Sequence, residues 1–239
     1  MMNTAENNTF GAVIVAAGQG DRFNVGTPKQ YINVLGHPLL VWTVYTFACS
    51  MCRNTIVVVV PPSDVKSMKE KLFARYQFAD AVHIAAGGAT RQESVLNGLL
   101  SLPETIDYAA IHDGARPVVT AELIDAVCKE AVLYGGAVPA LPAADSTFIE
   151  SHMMIEQYVD RSHLWQAQTP QVFRRNEIIA AHKKALDENF SASDDGMLYK
   201  RYIGDVRIVR GDPVNIKVTY PRDLLAVEAI LRERREIPK

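Results

Sequence analysis

Three short segments of this 239-residue chain gather residues suited to holding a polyphosphate. The first is Ala16-Ala17-Gly18-Gln19-Gly20-Asp21-Arg22, which follows an apolar run at residues 12–15 and precedes Pro28-Lys29-Gln30-Tyr31. Side chains almost vanish over residues 16–20, so backbone N–H groups can approach an anion closely. Arg22 and Lys29 add two cations, which suit phosphate oxygens. The second segment is Gly87-Gly88-Ala89-Thr90-Arg91, with Ser94 and Asn97 at the start of a helical pattern. The third is His112-Asp113-Gly114-Ala115-Arg116-Pro117. More donors lie at Arg161, at Gln168-Thr169-Pro170-Gln171 and at Asn215-Ile216-Lys217-Val218-Thr219.

Several cations and one carboxylate around a nucleotide suit phosphoryl or nucleotidyl transfer. A triphosphate is normally handled with Mg²⁺, which takes one or two carboxylates plus phosphate oxygens and waters. Asp113 is the candidate ligand, because it follows an apolar strand pattern and precedes a glycine. An Asp that merely makes a turn before Gly114 is the other reading. His112 reads as a strand-end residue rather than a base, and no covalent nucleophile stands out. Lys217 interrupts an apolar stretch; a phosphate partner and a place on an exposed edge strand are both open. Gly18 and Gly20 also fit an ordinary strand-to-helix turn. Two familiar phosphate loops fail: Gly20 is followed by Asp21-Arg22 rather than Lys-Ser/Thr, and Phe23 stands where a dinucleotide loop needs glycine.

The elements that must position these residues alternate. Strand patterns cover residues 12–15, 55–60, 81–86, 108–112 and 137–141, and residues 55–60 are nearly all valine, as expected of a strand covered on both faces. Helical patterns cover residues 63–76 with Ser63 as N-cap, residues 91–102, and residues 120–134 with Thr120 as N-cap and Gly135 at the end. This repetition predicts an α/β fold: a three-layer α/β/α sandwich around a Rossmann-like, mostly parallel sheet. After Pro142 the pattern changes. Residues 146–150 and 155–159 alternate like a hairpin around Ser151-His152, a β-arm that cannot bury both faces alone. A second copy of the chain is its simplest cover, so a homodimer is expected. Helices over residues 176–189 and 194–202, a strand over 206–210 and a last helix from Pro221 to about residue 235 then resume the fold. The whole chain, residues 1–239, reads as one domain with the arm at about 143–160.

Hydrophobic residues make up 48% of the chain and charged ones 22%, enough for one large core. A net charge of −2 leaves no global field to recruit nucleic acid, so anion binding must come from local clusters. No apolar run approaches a membrane span, and residues 1–8 lack the core of a signal peptide. Three cysteines suit a reducing compartment, so a cytoplasmic location is expected. Cys49-Ser-Met-Cys52 lacks the second pair a zinc site would need and reads as buried or half-buried thiols at a helix end.

Taken together, these motifs resemble the 2-C-methyl-D-erythritol 4-phosphate cytidylyltransferase family of the non-mevalonate isoprenoid route, over about residues 10–232. The resemblance implies that Ala16, Ala17 and Gly18 hold the cytidine of CTP, and that Gly87, Arg91 and Ser94 complete the base and ribose pocket; Gly20 is expected among the nucleotide-binding residues. It implies that Arg22, Lys29 and Lys217 stabilise a pentavalent α-phosphate and that Asp113 binds Mg²⁺ and substrate. It further implies that Arg116, Thr147, Arg161, Thr169 and Ser193 handle the polyol phosphate, some of them across a dimer. Ser193-Asp194-Asp195 stands where the family commonly has Thr-Asp-Glu or Thr-Asp-Asp; Ser keeps the hydroxyl. Gly114 stands where relatives carry Ala. A ribitol-5-phosphate cytidylyltransferase is the near alternative, but such relatives tend to carry Leu-Ala-Gly-Gly in the first loop. A non-catalytic nucleotide sensor would be expected to lose Lys29 or Lys217. An NAD-dependent oxidoreductase is disfavoured by Phe23 and by Pro61-Pro62 where an acidic residue would hold a ribose.

Overall fold

A computed structural model describes residues 8–18, 28–234 and 237; Gly20 and Arg22 lie outside the described residues. The chain runs through β1 (Phe10–Val15), a small hairpin of β2 (Asn33–Val34) and β3 (His37–Pro38), α1 (Leu39–Ala48), β4 (Ile56–Val60), α2 (Val65–Met68), β5 (Val82–Ala86) and α3 (Arg91–Leu100). It continues through β6 (Tyr108–Asp113), α4 (Ala121–Tyr134), β7 (Gly136–Pro142) and the arm, β8 (Thr147–Ser151) with β9 (Met154–Val159). Then come β10 (Trp165–Ala167), β11 (Gln171–Arg174), α5 (Arg175–Asp187), α6 (Asp195–Tyr202), β12 (Arg207–Arg210) and α7 (Asp223–Arg232).

Side-chain alternation builds the three layers. In β1, Ala12 and Ile14 face one core and Val13 the other; in β4, Ile56, Val58 and Val60 face the first and Val57 and Val59 the second. All eight are fully buried, which is why β4 can be an unbroken apolar run. The first core is closed by α1, α4 and α7, the second by α3, α5 and α6.

The sheet order is β5-β4-β1-β6-β11-β7, with β10 and β12 also paired to β7. From β1 the chain steps outward to β4 and β5, then returns to β6 on the other side of β1, all in parallel. The order therefore reverses between β1 and β6, and open α/β sheets bind ligands in the crevice at such a switch point. Two strands depart from the parallel pattern. β11 lies antiparallel between β6 and β7, and β10 lies antiparallel along β7. Neither was expected from the sequence.

Other expectations shift in detail. The helix expected over residues 63–76 is a turn at Pro62–Asp64, a single α-turn at Val65–Met68 and a wider turn closed by Ala74 N–H to Lys69 O at 2.9 Å. Ser63 does not cap it; its hydroxyl donates to Asp64 Oδ1 at 3.1 Å. Pro61 and Pro62 hold the chain extended and then in a tight turn, which displaces the helix start. Asp194 caps α6 rather than opening it, accepting from Met197 N–H. The arm turns at His152-Met153, whose φ values of 51° and 63° suit a two-residue hairpin turn. Cys49 is exposed at the end of α1, whereas Cys52 and Cys128 are buried with sulfurs 4.0 Å apart.

Candidate active site

The loops at the carboxyl ends of β1, β4, β5 and β6 enclose a cavity of about 640 Å³. Ala16, Ala17 and Gly18 form one wall, Gly88 to Arg91 and Ser94 another, and Lys29, Asp113 and Lys217 the third. Eight of the expected site residues thus meet in one place. The approach of the first two walls depends on small residues: a Cβ on Gly87 would come 2.4 Å from the Ala17 Cβ. Gly87 itself packs just behind the cavity lining, with its N–H on Val60 O at 2.8 Å.

The second wall is set by paired capping contacts at the start of α3. Thr90 is the N-cap of α3 and accepts from Glu93 N–H at 3.1 Å, while the Glu93 carboxylate accepts from Ala89 N–H at 2.9 Å. Ser94 fixes the loop, accepting from Gly88 N–H at 3.0 Å and donating to Thr90 O at 2.8 Å. This places Arg91 at the first helical position, over the cavity. On the opposite side Gln30, 3% exposed, donates to Ala16 O at 2.9 Å and ties the Lys29 turn to the first loop. Lys29 Nζ donates to Val218 O at 2.9 Å, and Val218 N–H donates to Ala115 O at 2.9 Å. Residues distant in sequence are thereby locked beside β6.

Asp113 is the electrostatic centre. Its Oδ2 lies 2.6 Å from Lys217 Nζ and its Oδ1 3.3 Å from Arg91 Nε. Burial alone would push the Asp113 carboxyl up, but Arg91, Lys217 and Arg116 outweigh it and hold it well below the usual carboxylate range. The Arg91 guanidinium also reaches Asp195 Oδ2 at 3.0 Å. Burial acts against the Arg91 charge, and the two carboxylates overcome it. Burial likewise works upward on Asp195, but Arg91 and His182 keep it below its ordinary value.

Beneath Asp113 lies a neutral brace. His112 Nε2 is 3.2 Å from Arg116 O, which can only accept, so Nε2 carries the proton. Nδ1 then accepts from the Thr169 hydroxyl at 3.0 Å, and that oxygen accepts from Asp113 N–H at 3.2 Å. Burial pushes the His112 imidazole down to about 3. Below its ordinary 6.5 the unfolded chain is protonated there while the folded chain is not, so folding loses stability as pH falls towards 3. The slope is about 1.4 kcal/mol per pH unit. Urea midpoints at pH 7, 6 and 5 should fall less steeply in His112→Gln than in the unaltered chain; equal slopes would contradict the buried neutral imidazole.

The remaining expected residues do not line this cavity. Thr169 is the brace just described. Arg116 turns behind the site and donates through Nη1 to Asn215 O at 2.7 Å. Asn215, fully buried, donates to Thr169 O at 2.9 Å. Ser193 is exposed, with its hydroxyl 3.7 Å from Met197 Sδ, and its neighbour Asp195 is the residue that reaches Arg91. Thr147 and Arg161 are exposed at the arm, where Arg161 Nη1 donates to Ala144 O at 2.8 Å. Gln30, Asp195 and the capping pair Thr90/Glu93 are parts that sequence reasoning missed, although the Thr-x-x-Glu spacing was readable.

The donor set fits a divalent ion that relies mainly on substrate phosphates. Asp113 is the carboxylate on the cavity wall, and among the described residues no three His, Cys, Asp or Glu side chains converge as a cage. Nor is any helix among them long and apolar enough to cross a membrane.

The family model described as IspD, 2-C-methyl-D-erythritol 4-phosphate cytidylyltransferase, matches residues 10–233. The chain belongs to that family. The 2-C-methyl-D-erythritol 4-phosphate cytidylyltransferase of Geobacillus thermodenitrificans is 42% identical over 225 residues, covering 94% of this chain and 98% of the relative. The crystal structure of the Thermus thermophilus enzyme of the same name superposes with a TM-score of 0.75 at 30% identity, over 92% of this chain and 98% of that one. That of the 4-diphosphocytidyl-2C-methyl-D-erythritol synthase of Anaerococcus prevotii gives 0.82 at 25% identity, over 95% and 99%. Membership in the IspD family accounts for a switch-point cavity walled by cations and small residues rather than by a nucleophile and base.

Proposed function

We propose that this chain transfers CMP from CTP to 2-C-methyl-D-erythritol 4-phosphate, releasing pyrophosphate and 4-diphosphocytidyl-2-C-methyl-D-erythritol. The observation that carries the reading is the joining of Lys29, Lys217, Arg91 and Asp113 around one cavity beside the Ala16–Gly18 wall. The attacking group is a phosphate oxygen of the polyol phosphate. It forms a bond to the α-phosphorus as the bond from that phosphorus to the bridging oxygen of pyrophosphate breaks. A phosphate monoester is already an anion, so no general base is required. The difficulty is bringing two anions together and stabilising the extra charge on the α-phosphate.

In this reading, Ala16, Ala17, Gly18, Gly20, Gly87, Arg91 and Ser94 hold the nucleotide, and Arg22 joins the two lysines at the α-phosphate. Lys29 and Lys217 face the α-phosphate. One ammonium about 4 Å from a developing unit charge contributes about 4 kcal/mol at an effective dielectric of about 20. That corresponds to about a thousandfold in rate. Asp113 would hold Mg²⁺, which when bound supplies further neutralisation of the phosphates. Asp113 also keeps Lys217 and Arg91 oriented before substrate arrives. Arg116 and Thr169 shape the polyol-phosphate side from behind Asp113, and Ser193 borders it.

Thr147 and Arg161 fit this scheme through a second copy of the chain. The arm exposes Phe148 (47%), Tyr158 (65%) and Met154 (72%), apolar surface that a monomer rarely leaves to water. We therefore assign the arm to a homodimer, each arm completing its partner's polyol-phosphate side. Sedimentation equilibrium at micromolar concentration should give twice the chain mass; a monomer would contradict this. The activity itself is tested by pyrophosphate release across a matrix of nucleoside triphosphates and polyol phosphates. CTP with methylerythritol phosphate should exceed every other pair, ribitol 5-phosphate included. Faster turnover with another polyol phosphate would overturn the assignment.

A further inference from the structure

His182 lies on α5, outside every motif used above, and is 1% exposed. Its Nε2 is 3.1 Å from Asp195 Oδ1, and Asp195 is also 1% exposed. The other oxygen of that carboxylate is 3.0 Å from Arg91 Nη2. Arg91 Nε in turn reaches Asp113. A single chain of contacts thus runs from the interior of α5, through the first residue of α6, to the cavity wall. An ionised carboxylate only accepts, so the His182 proton on this contact sits at Nε2 whatever the charge of the ring.

We infer that His182 is a positioning residue for the nucleotide site: it fixes the Asp195 carboxylate, which fixes the Arg91 guanidinium against the bound nucleotide. Two features support the assignment. First, Asp195 is gripped from two sides, and a buried carboxylate that loses one of its donors is free to rotate away from the other. Among the described residues, Asp195 is the anchor on the Nη2 side of Arg91. Second, the imidazole is buried and its hydrogen-bond partner among the described residues is Asp195. Its Nδ1 has no hydrogen-bond partner among the described residues, so the Asp195 contact is the polar interaction that offsets its burial. An apolar side chain would pack this helix position at lower cost if only the core mattered.

The inference rests on the reading that Arg91 borders the nucleotide, and the experiment separates the two. Equilibrium binding of CTP is measured by calorimetry, without polyol phosphate, for the unaltered chain, Arg91→Ala, His182→Leu, His182→Met and His182→Gln. Leu and Met keep the bulk and lack the donor, so whichever folds serves; Gln restores an N–H near the Nε2 position. The apolar variant should weaken CTP about tenfold, equivalent to about 1.4 kcal/mol. His182→Gln should recover to within about threefold of the unaltered chain. KM for the polyol phosphate should change less than twofold. In an Arg91→Ala background the His182 substitution should add no further loss. If Arg91→Ala leaves CTP affinity unchanged, the nucleotide reading of Arg91 fails. If Arg91→Ala weakens CTP but His182→Leu or His182→Met does not, or if Gln is as impaired as they are, the positioning role is overturned.

Discussion

Lys217→Ala should lower kcat at least a hundredfold and leave the protein folded, and Lys29→Ala should do the same. Lys217 is 40% exposed on its side chain, with Nζ at the cavity and 2.6 Å from Asp113. Its partial exposure means that the fold gains little from the ion pair. In the proposed complex the α-phosphate meets the same ammonium, whose fixed charge stabilises the transition state more than the ground state. The loss should therefore appear in kcat rather than mainly in KM for CTP. Lys29 hangs on Val218 O, one residue from Lys217, so both cations are supported by the same short segment. Near-normal turnover in either folded variant would remove that lysine from the chemistry.

Asp113→Asn should cost more, about a thousandfold in kcat, and also destabilise the fold by about 1 kcal/mol, since the two cations it leaves, Arg91 and Lys217, are a third or more exposed. Arg91 and Lys217 would then face each other across a neutral amide, and the carboxylate proposed to hold Mg²⁺ would be gone. The stability loss has a pH signature. The folded Asp113 carboxyl sits well below its ordinary 3.8, so its contribution is fully present above about pH 4 and fades as pH falls below that. The unfolding free energies of Asp113→Asn and the unaltered chain should differ at pH 7 and converge in acid. A constant gap down to pH 3 would show that Asp113 stabilises by packing alone.

How far these features were legible in the sequence differs by element. The apolar runs of β1 and β4, together with the strand–helix repetition, gave the layered sheet, because burial on two faces leaves a pattern in the residues themselves. α1 was missed for the same reason inverted: Leu39 to Phe47 is apolar nearly all round, so it carries no stripe to reveal a helix. β11 was missed because Gln171 and Arg174 bracket only two apolar residues, and its antiparallel place between β6 and β7 depends on partners distant in sequence. At the site, short loops after strands exposed Ala16–Gly18, Arg91, Asp113 and Lys217, since glycines and isolated charges stand out. The Ser-Asp-Asp segment was visible, but which side chain turns inward depends on where α6 begins. Asp194 takes the cap, and Asp195 rather than Ser193 swings onto Arg91. His182 left no local trace at all, being one polar residue on an amphipathic helix whose partner is thirteen residues away.

In the proposed reaction two lysines and a small-residue loop bring one triphosphate into a single cavity at the β1/β6 switch point. A crystal structure of the protein with CTP and Mg²⁺ tests it most directly. Cytosine should lie against the Ala16–Gly18 wall and Arg91, with the α-phosphate within hydrogen-bond reach of Lys29 Nζ and Lys217 Nζ. A triphosphate seated elsewhere, with both ammonium groups turned from it, would contradict it.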